Sequence, residues 1–221
     1  TTRRCPSIKG KAMLIIGLTG PTGAGKGMFS QIAVRDFGAL HIDTDKVARQ
    51  GVEPGSAGLA ALGRYFGDGI LRPDGALDRA RLAGIVFTDK EKLAALNKIT
   101  HPLVTEEVEK RLAKARKENI PFAIIDAPLL FESGEDKICD VTVGIVADES
   151  TRFTRILARD GIDENAARKR LASAKSTDFF RERCDYLLEN DGGQAEFEEK
   201  IRAFFKSLCK PQAIRTQKEP T

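Results

Sequence analysis

The sequence has no apolar run near the ~18 residues that a membrane span requires. Its one notable apolar stretch, Met13 to Leu18, is short and reads as a buried strand. The basic first residues lack the longer apolar region and small-residue cleavage site of a signal peptide. Cysteine and histidine are equally sparse. Cys5, Cys139, Cys184 and Cys209 form no CxxC pair, and His41 and His101 lie far apart, so a zinc site has no support. Free thiols in a reducing cytoplasm are the simplest reading. A basic body is also missing. The net charge is +4, yet Arg3, Arg4, Lys9 and Lys11 give residues 1–12 a charge of +4. Lys210, Arg215 and Lys218 against Glu219 give residues 210–221 +2, which leaves −2 for everything between. That balance argues against a duplex-binding surface, and no specific nucleic-acid or membrane partner is expected. The two tails are polar and aperiodic and read as disordered linkers. The chain opens on Thr1 rather than Met, as a processed or excised segment would.

What is present is an ordinary globular composition, 41% hydrophobic and 31% charged over 221 residues. That length suits one domain with insertions or two small ones. Strand patterns fall at Met13–Leu18, Ala39–Asp43, Phe122–Asp126, Val141–Val146 and Asp185–Glu189. Helical patterns lie between them: one ends at Gly38, one covers 44–66 with an interruption near Glu53-Pro54-Gly55, and one runs from 77 to 119 with a break at His101-Pro102. Charged helices fill 150–182 with a turn near Asp160-Gly161, and an amphipathic helix covers 194–208. Strands alternating with helices imply an α/β fold with a parallel sheet flanked by helices. The long stretch at 67–119 is too large for a simple crossover and reads as an inserted helical subdomain.

Gly20-Pro-Thr-Gly-Ala-Gly25-Lys26-Gly27 follows the first strand and opens a helix, matching G-x-x-x-x-G-K. Glycines there let successive N–H groups turn toward a phosphate. The helix N-terminus adds partial positive charge, and Lys26 neutralises the outer phosphates. The motif normally closes with Ser or Thr, whose hydroxyl binds Mg²⁺. Here that position is Gly27, followed by Met28. A further water in place of the hydroxyl, another residue, or lost catalysis are all compatible with the sequence.

After the second strand, His41-Ile-Asp43-Thr-Asp45 places two carboxylates near the phosphates. Either serves as a base or metal-positioning group, or simply caps the next helix, and spacing does not choose. Arg152, Arg155 and Arg159 recur at i, i+3 and i+7, one helix face. Such a row suits a transferring phosphoryl group. Asp148, Glu149, Asp160, Asp163 and Glu164 lie close by, so a salt-bridged solvent face is the alternative. Phe66, Leu77, Leu82 and Phe87 read as core of the insert or as an apolar wall, and His101 as a hydrogen-bonded structural residue.

The ordered series resembles the dephospho-CoA kinase family. It comprises the phosphate loop, Ile42-Asp43-Thr44-Asp45 with Arg49, Gly75-Ala-Leu77-Asp78-Arg79, His101-Pro102, Pro128-Leu129-Leu130-Phe131-Glu132, and Asp185-Tyr186 to Asn190. The resemblance covers about residues 13–205. It implies a P-loop NTPase fold with a five-stranded parallel sheet, an acceptor-binding insert at about 67–119 and a lid at about 150–178 within a domain spanning 13–209. The implied reaction phosphorylates the ribose 3′-hydroxyl of dephospho-CoA with ATP and Mg²⁺, giving CoA and ADP, the last step of CoA biosynthesis. Gly20, Pro21, Thr22, Gly23, Ala24, Gly25, Lys26, Gly27 and Met28 would bind ATP. Asp45 would be the base, assisted by Lys26, Arg155 and Arg159. Asp43, Asp45, Arg49, Arg79, His101 and Leu129 would meet the acceptor. Glu132 would reach Mg²⁺ through water or pair with a lid arginine.

The sequence departs from the family at Gly27, at Ala174-Lys175 where a Gln is usual, and at Phe180 and Cys184 where a basic residue and an Ala are usual. A non-catalytic nucleotide- or CoA-binding homologue and a related small-molecule kinase share the same layout.

Overall fold

The structure, a computed structural model, describes residues 13–209. The two tails fall outside the described residues. Among the described residues no helix is long and apolar enough to cross a membrane.

Five parallel strands form one sheet in the order β2-β3-β1-β4-β5: β1 is Leu14–Thr19, β2 Leu40–Asp43, β3 Phe122–Asp126, β4 Val141–Val146 and β5 Tyr186–Glu189. Every residue of β1 is buried, as expected for a central strand covered on both faces. Alternation then divides its side chains. Leu14, Ile16 and Leu18 pack with α1 (Lys26–Phe37) and α10 (Gln194–Cys209), against Phe29, Phe197 and Phe205. Full burial of these three rings, about 1.5–3 kcal/mol each, holds the two helices to the sheet. On the other face, Ile15 and Ile125 meet Val47 of α2 (Thr44–Gln50) and Val104, Val108 and Leu112 of α5 (Lys90–Lys117). Gly38 ends α1 as its sequence position suggests, at φ 62° with its N–H donating to the Val34 carbonyl at 3.2 Å.

The helical region between β2 and β3 differs in detail from the sequence expectation. α5 does not break at His101-Pro102 but runs through both as a single 28-residue helix. Proline removes one helical hydrogen bond and costs about 3 kcal/mol or more. The burial of Val104, Val108 and Leu112 beyond it, at about 1.5–3 kcal/mol each, exceeds that cost. A helical unit with a core of its own overlaps the first part of 67–119. Its core joins Val52, Leu59, Leu62, Ile70, Leu77, Leu82 and Val86, with Leu96 and Ile99 against it, whereas the second half of α5 belongs to the sheet. This unit contains α3 (Ala57–Phe66), α4 (Arg79–Val86) and the first turns of α5. Leu77 and Leu82 are buried in it and Phe66 packs partly against it. Phe87 is not core: α4 ends at Val86, and Phe87 turns outward, 79% exposed.

Between β4 and β5 lie α7 (Glu149–Asp160), α8 (Glu164–Ala172) and α9 (Thr177–Arg183). Helices α7 and α8 share a small core of Ile156, Ala167 and Leu171. Phe180 of α9 is buried beside Val146 and Cys184, under β4. A basic residue at position 180 would have to leave this apolar packing. Cys184 is buried in the same cluster, and burial pushes its thiol up to about 12. Cys139 and Cys184 are free thiols.

Candidate active site

The carboxyl ends of β1, β2 and β3 open onto a cleft of about 810 Å³. Strand order reverses around β1, so this is where an open α/β sheet places its ligand. The phosphate loop forms one wall. Gly20 sits at φ 141°, and any side chain there would collide with the Ile145 carbonyl. Gly25 sits at φ 112° directly against Asn190. Gly27 differs from both. It lies within α1, and a Cβ there would have no heavy atom within 4 Å. Its glycine is therefore not required by backbone or packing.

Lys26 Nζ donates to the Gly20 carbonyl at 2.7 Å, folding the ammonium over the loop. Burial lowers its pKa, while the Asp126 carboxylate pulls it back up, Arg159 lowers it and Asp45 raises it. The charge therefore sits among opposing neighbours at the base of the cleft, where a polyanion would find it.

The two aspartates after β2 separate in role. Asp43 caps α2, its Oδ1 accepting the Lys46 N–H at 2.9 Å, although it still lines the cleft. Asp45 makes no capping bond and faces the same cleft. Solvent reaches it through the mouth, yet partial desolvation raises its pKa, and the neighbouring Asp43 charge raises it further. A raised carboxyl pKa suits a proton acceptor.

Asp126 is a cleft residue that sequence reasoning passed over. It ends β3 in register with Leu18 and Asp43. Ser30 Oγ donates to its Oδ2 at 3.5 Å, and His41 Nε2 lies 3.4 Å from the same oxygen. The signal was a hydrophobic strand closing on an acid, but only the sheet order shows that this strand adjoins β1. No group of three or more His, Cys, Asp or Glu side chains is arranged to hold a metal among the described residues. The cleft instead offers carboxylate oxygens beside the phosphate loop. Mg²⁺ prefers one or two carboxylates, substrate phosphates and water, and such a donor set would fit it, with Asp126 as the carboxylate that would hold it.

The arginine row divides. Arg155 and Arg159 line the cleft. Arg152 does not. It is 9% exposed, with Nε and Nη1 unpartnered, and its backbone packs against Gly23. Positions 152 and 159 lie nearly two turns apart, and the loop covers the N-terminal end of that face. The salt-bridge alternative holds in part: Arg159 pairs with Asp160 at 2.7 Å and reaches Thr22 Oγ1 at 3.4 Å, and Arg170 also pairs with Asp160.

Arg49 and Arg79 are outside this cleft. They line a second cavity of about 260 Å³ with Leu62, Leu77, Leu82 and Val86, and Arg79 Nη2 donates to the Arg49 carbonyl at 3.3 Å. Helix α2 borders both cavities, with Asp45 lining the first and Arg49, one turn on, lining the second. His101 is exposed on α5, with no ring hydrogen bond among the described residues, so its reading as a hydrogen-bonded structural histidine is not upheld. The Glu135 carboxyl pKa is raised first by burial, a shift opposed by its hydrogen bond with Ser133, while the nearby Asp45 raises it further. Leu129 is 59% exposed. Glu132 pairs with Lys175 at 3.4 Å, a lysine rather than the arginine considered from sequence.

Known proteins resemble this chain over most of its length. The family model described as dephospho-CoA kinase matches residues 14–196. A protein of Corynebacterium glutamicum named dephospho-CoA kinase is 41% identical over 180 residues, covering 81% of this chain and 90% of its own. A crystal structure from Thermus thermophilus aligns with a TM-score of 0.77 at 30% identity, covering 90% of this chain and 100% of that one. The dephospho-CoA kinase from Campylobacter jejuni aligns with a TM-score of 0.64 at 26% identity, covering 88% and 96%.

Proposed function

The chain belongs to the dephospho-CoA kinase family, and from that premise we propose that it transfers the γ-phosphoryl group of ATP to the ribose 3′-hydroxyl of dephospho-CoA, giving CoA and ADP. The observation that carries this reading is the meeting of Lys26, Asp45, Asp126, Arg155 and Arg159 in one cleft, with a second, largely apolar cavity one helical turn away along α2. The phosphate loop holds the ATP phosphates through backbone N–H groups, and Lys26 neutralises them. Asp45 accepts the proton of the attacking hydroxyl as its oxygen bonds to the γ-phosphorus. The bond from that phosphorus to the bridging oxygen breaks, and ADP leaves. Arg155 and Arg159 stabilise the charge on the transferring group. Mg²⁺, when bound, would neutralise the β- and γ-phosphate oxygens, with Asp126 as its carboxylate.

The cavity lined by Leu62, Leu77, Leu82 and Val86 suits the pantetheine arm, and Arg49 and Arg79 suit the diphosphate of the acceptor. His101 and Leu129 complete the acceptor side. The 150–178 segment acts as a lid: α7 and α8 share a small core, and α7 meets the phosphate loop through Arg152 at Gly23 and Arg159 at Thr22. Closure would keep water from the γ-phosphate.

The test is ADP release from ATP, Mg²⁺ and dephospho-CoA. Asp45→Asn should lower kcat by about 10²–10⁴-fold with nucleotide binding retained. Wild-type turnover no higher than that of Asp45→Asn would overturn the proposal. It would favour a second reading, a non-catalytic nucleotide-binding homologue, for which the bare Gly27 is the motivating observation.

A further inference from the structure

Asn190 follows β5, and the sheet fixes its backbone: its N–H donates to the Val146 carbonyl at 2.9 Å. The residue is 3% exposed, yet each of its polar groups is used. Nδ2 donates to the Ala24 carbonyl at 2.7 Å. The Asn190 main-chain carbonyl accepts from Arg155 Nη1 at 2.9 Å, and Oδ1 accepts from Arg155 Nη2 at 3.3 Å. One buried residue thus holds the phosphate loop on one side and a cleft arginine on the other. The loop is closely fitted to it, since a side chain at Gly25 would collide with the same Nδ2.

The planarity of the peptide bond gives this contact a direction. No cis peptide occurs among the described residues. In a trans peptide the carbonyl and the following N–H point opposite ways. The Ala24 carbonyl is turned inward onto Asn190, so the Gly25 N–H is turned outward, toward the cleft that Gly25 lines. Arg155 gives one hydrogen from each terminal nitrogen to Asn190, and its remaining donors are left for the cleft. A primary amide is the side chain that can donate to a carbonyl and accept from a guanidinium at this length. Aspartate lacks the donor, and serine is too short to reach both.

We propose that Asn190 is a positioning residue for phosphoryl transfer, setting the Gly25 amide and the Arg155 guanidinium in one frame so that both meet the same phosphate chain. The inference rests on the reading of this cleft as the ATP site. It is tested with Asn190→Ala, Asn190→Asp, Arg155→Ala and the Asn190→Ala/Arg155→Ala double variant, each checked for folding by melting temperature. Asn190→Ala should lower kcat about 10- to 100-fold, as expected when a catalytic group loses its alignment. Most of that loss should vanish in the Arg155→Ala background, where there is no guanidinium left to align. A full multiplicative loss in the double variant would overturn the proposal, because a merely structural residue acts independently of Arg155.

The loop arm is read by equilibrium binding of a non-hydrolysable ATP analogue. Asn190→Asp is nearly isosteric and keeps an acceptor for Arg155, but it sets an oxygen against the Ala24 carbonyl. Analogue affinity should fall about tenfold. Wild-type affinity in that variant would equally overturn the inference. This arm needs no turnover and does not depend on Asn190→Ala folding, so failure of the kinase reading and failure of this one give different results.

Discussion

Replacing Gly27 with Ser would restore the hydroxyl that phosphate loops ordinarily present to their metal. The structure sets two magnitudes for this substitution. The first is steric. Position 27 is inside α1, and an added Cβ meets no heavy atom within 4 Å. Serine is a better helix former than glycine by roughly 0.3–0.5 kcal/mol. For a domain of this size that corresponds to a melting temperature raised by about 1–2 °C. The second concerns the metal. A side-chain oxygen replacing an ordered water recovers its immobilisation entropy, about 0–2 kcal/mol, or up to ~30-fold in affinity. The half-saturating Mg²⁺ concentration for ADP release should therefore fall, by up to that factor, while the melting temperature holds or rises. A drop of several degrees would refute the claim that the space is open. Unchanged Mg²⁺ dependence would refute the claim that position 27 faces the metal.

Asp43→Asn keeps the cap on α2, because Asn caps as well as Asp, but removes a negative charge that raises the Asp45 pKa. Asp45 acts as a base only when ionised, so activity is lost as pH falls through its pKa. Lowering that pKa should move the acid limb of the kcat profile to lower pH, and an upward shift would contradict the assignment. Gly25→Ala combines a left-handed backbone with a collision against Asn190. It should cost more than about 1 kcal/mol and weaken ATP-analogue binding by calorimetry. Phe29→Ala removes a fully buried ring that packs on Phe204 and Phe205. It should cost about 3–5 kcal/mol, with thermal unfolding lowered by roughly 6–20 °C.

Local chemistry made much of this molecule legible in its sequence. Strand periodicity, the Gly38 stop and the phosphate-loop spacing each depend on neighbours a few residues away, and each appears where expected. What was hidden depends on contacts distant along the chain. Asp126 gains its place only because β3 lies beside β1, a pairing across more than a hundred residues. Pro102 reads as a break because its local cost is plain, whereas the two cores that anchor α5 on either side are not. Arg152 shares a helical face with Arg155 by count, but the phosphate loop packs over that end of α7. Asp43 and Asp45 were indistinguishable by spacing, and a single capping bond to Lys46 tells them apart.

The uninterrupted α5 gives the molecule a shared spar. Its 28 residues extend about 42 Å at 1.5 Å per residue. Leu96, Asn97 and Thr100, on one arm, wall the second cavity, while Val104, Val108 and Leu112, on the other, are bedded on the sheet. The missing proline hydrogen bond lies between the arms, at the point of least stiffness. A bend of about 10° there would swing the first residue of α5, twelve residues or about 18 Å away, through roughly 3 Å together with the helical unit packed on it. The position of the second cavity's wall relative to the sheet thus follows the curvature of one helix, and stiffening position 102 would hold that wall in place.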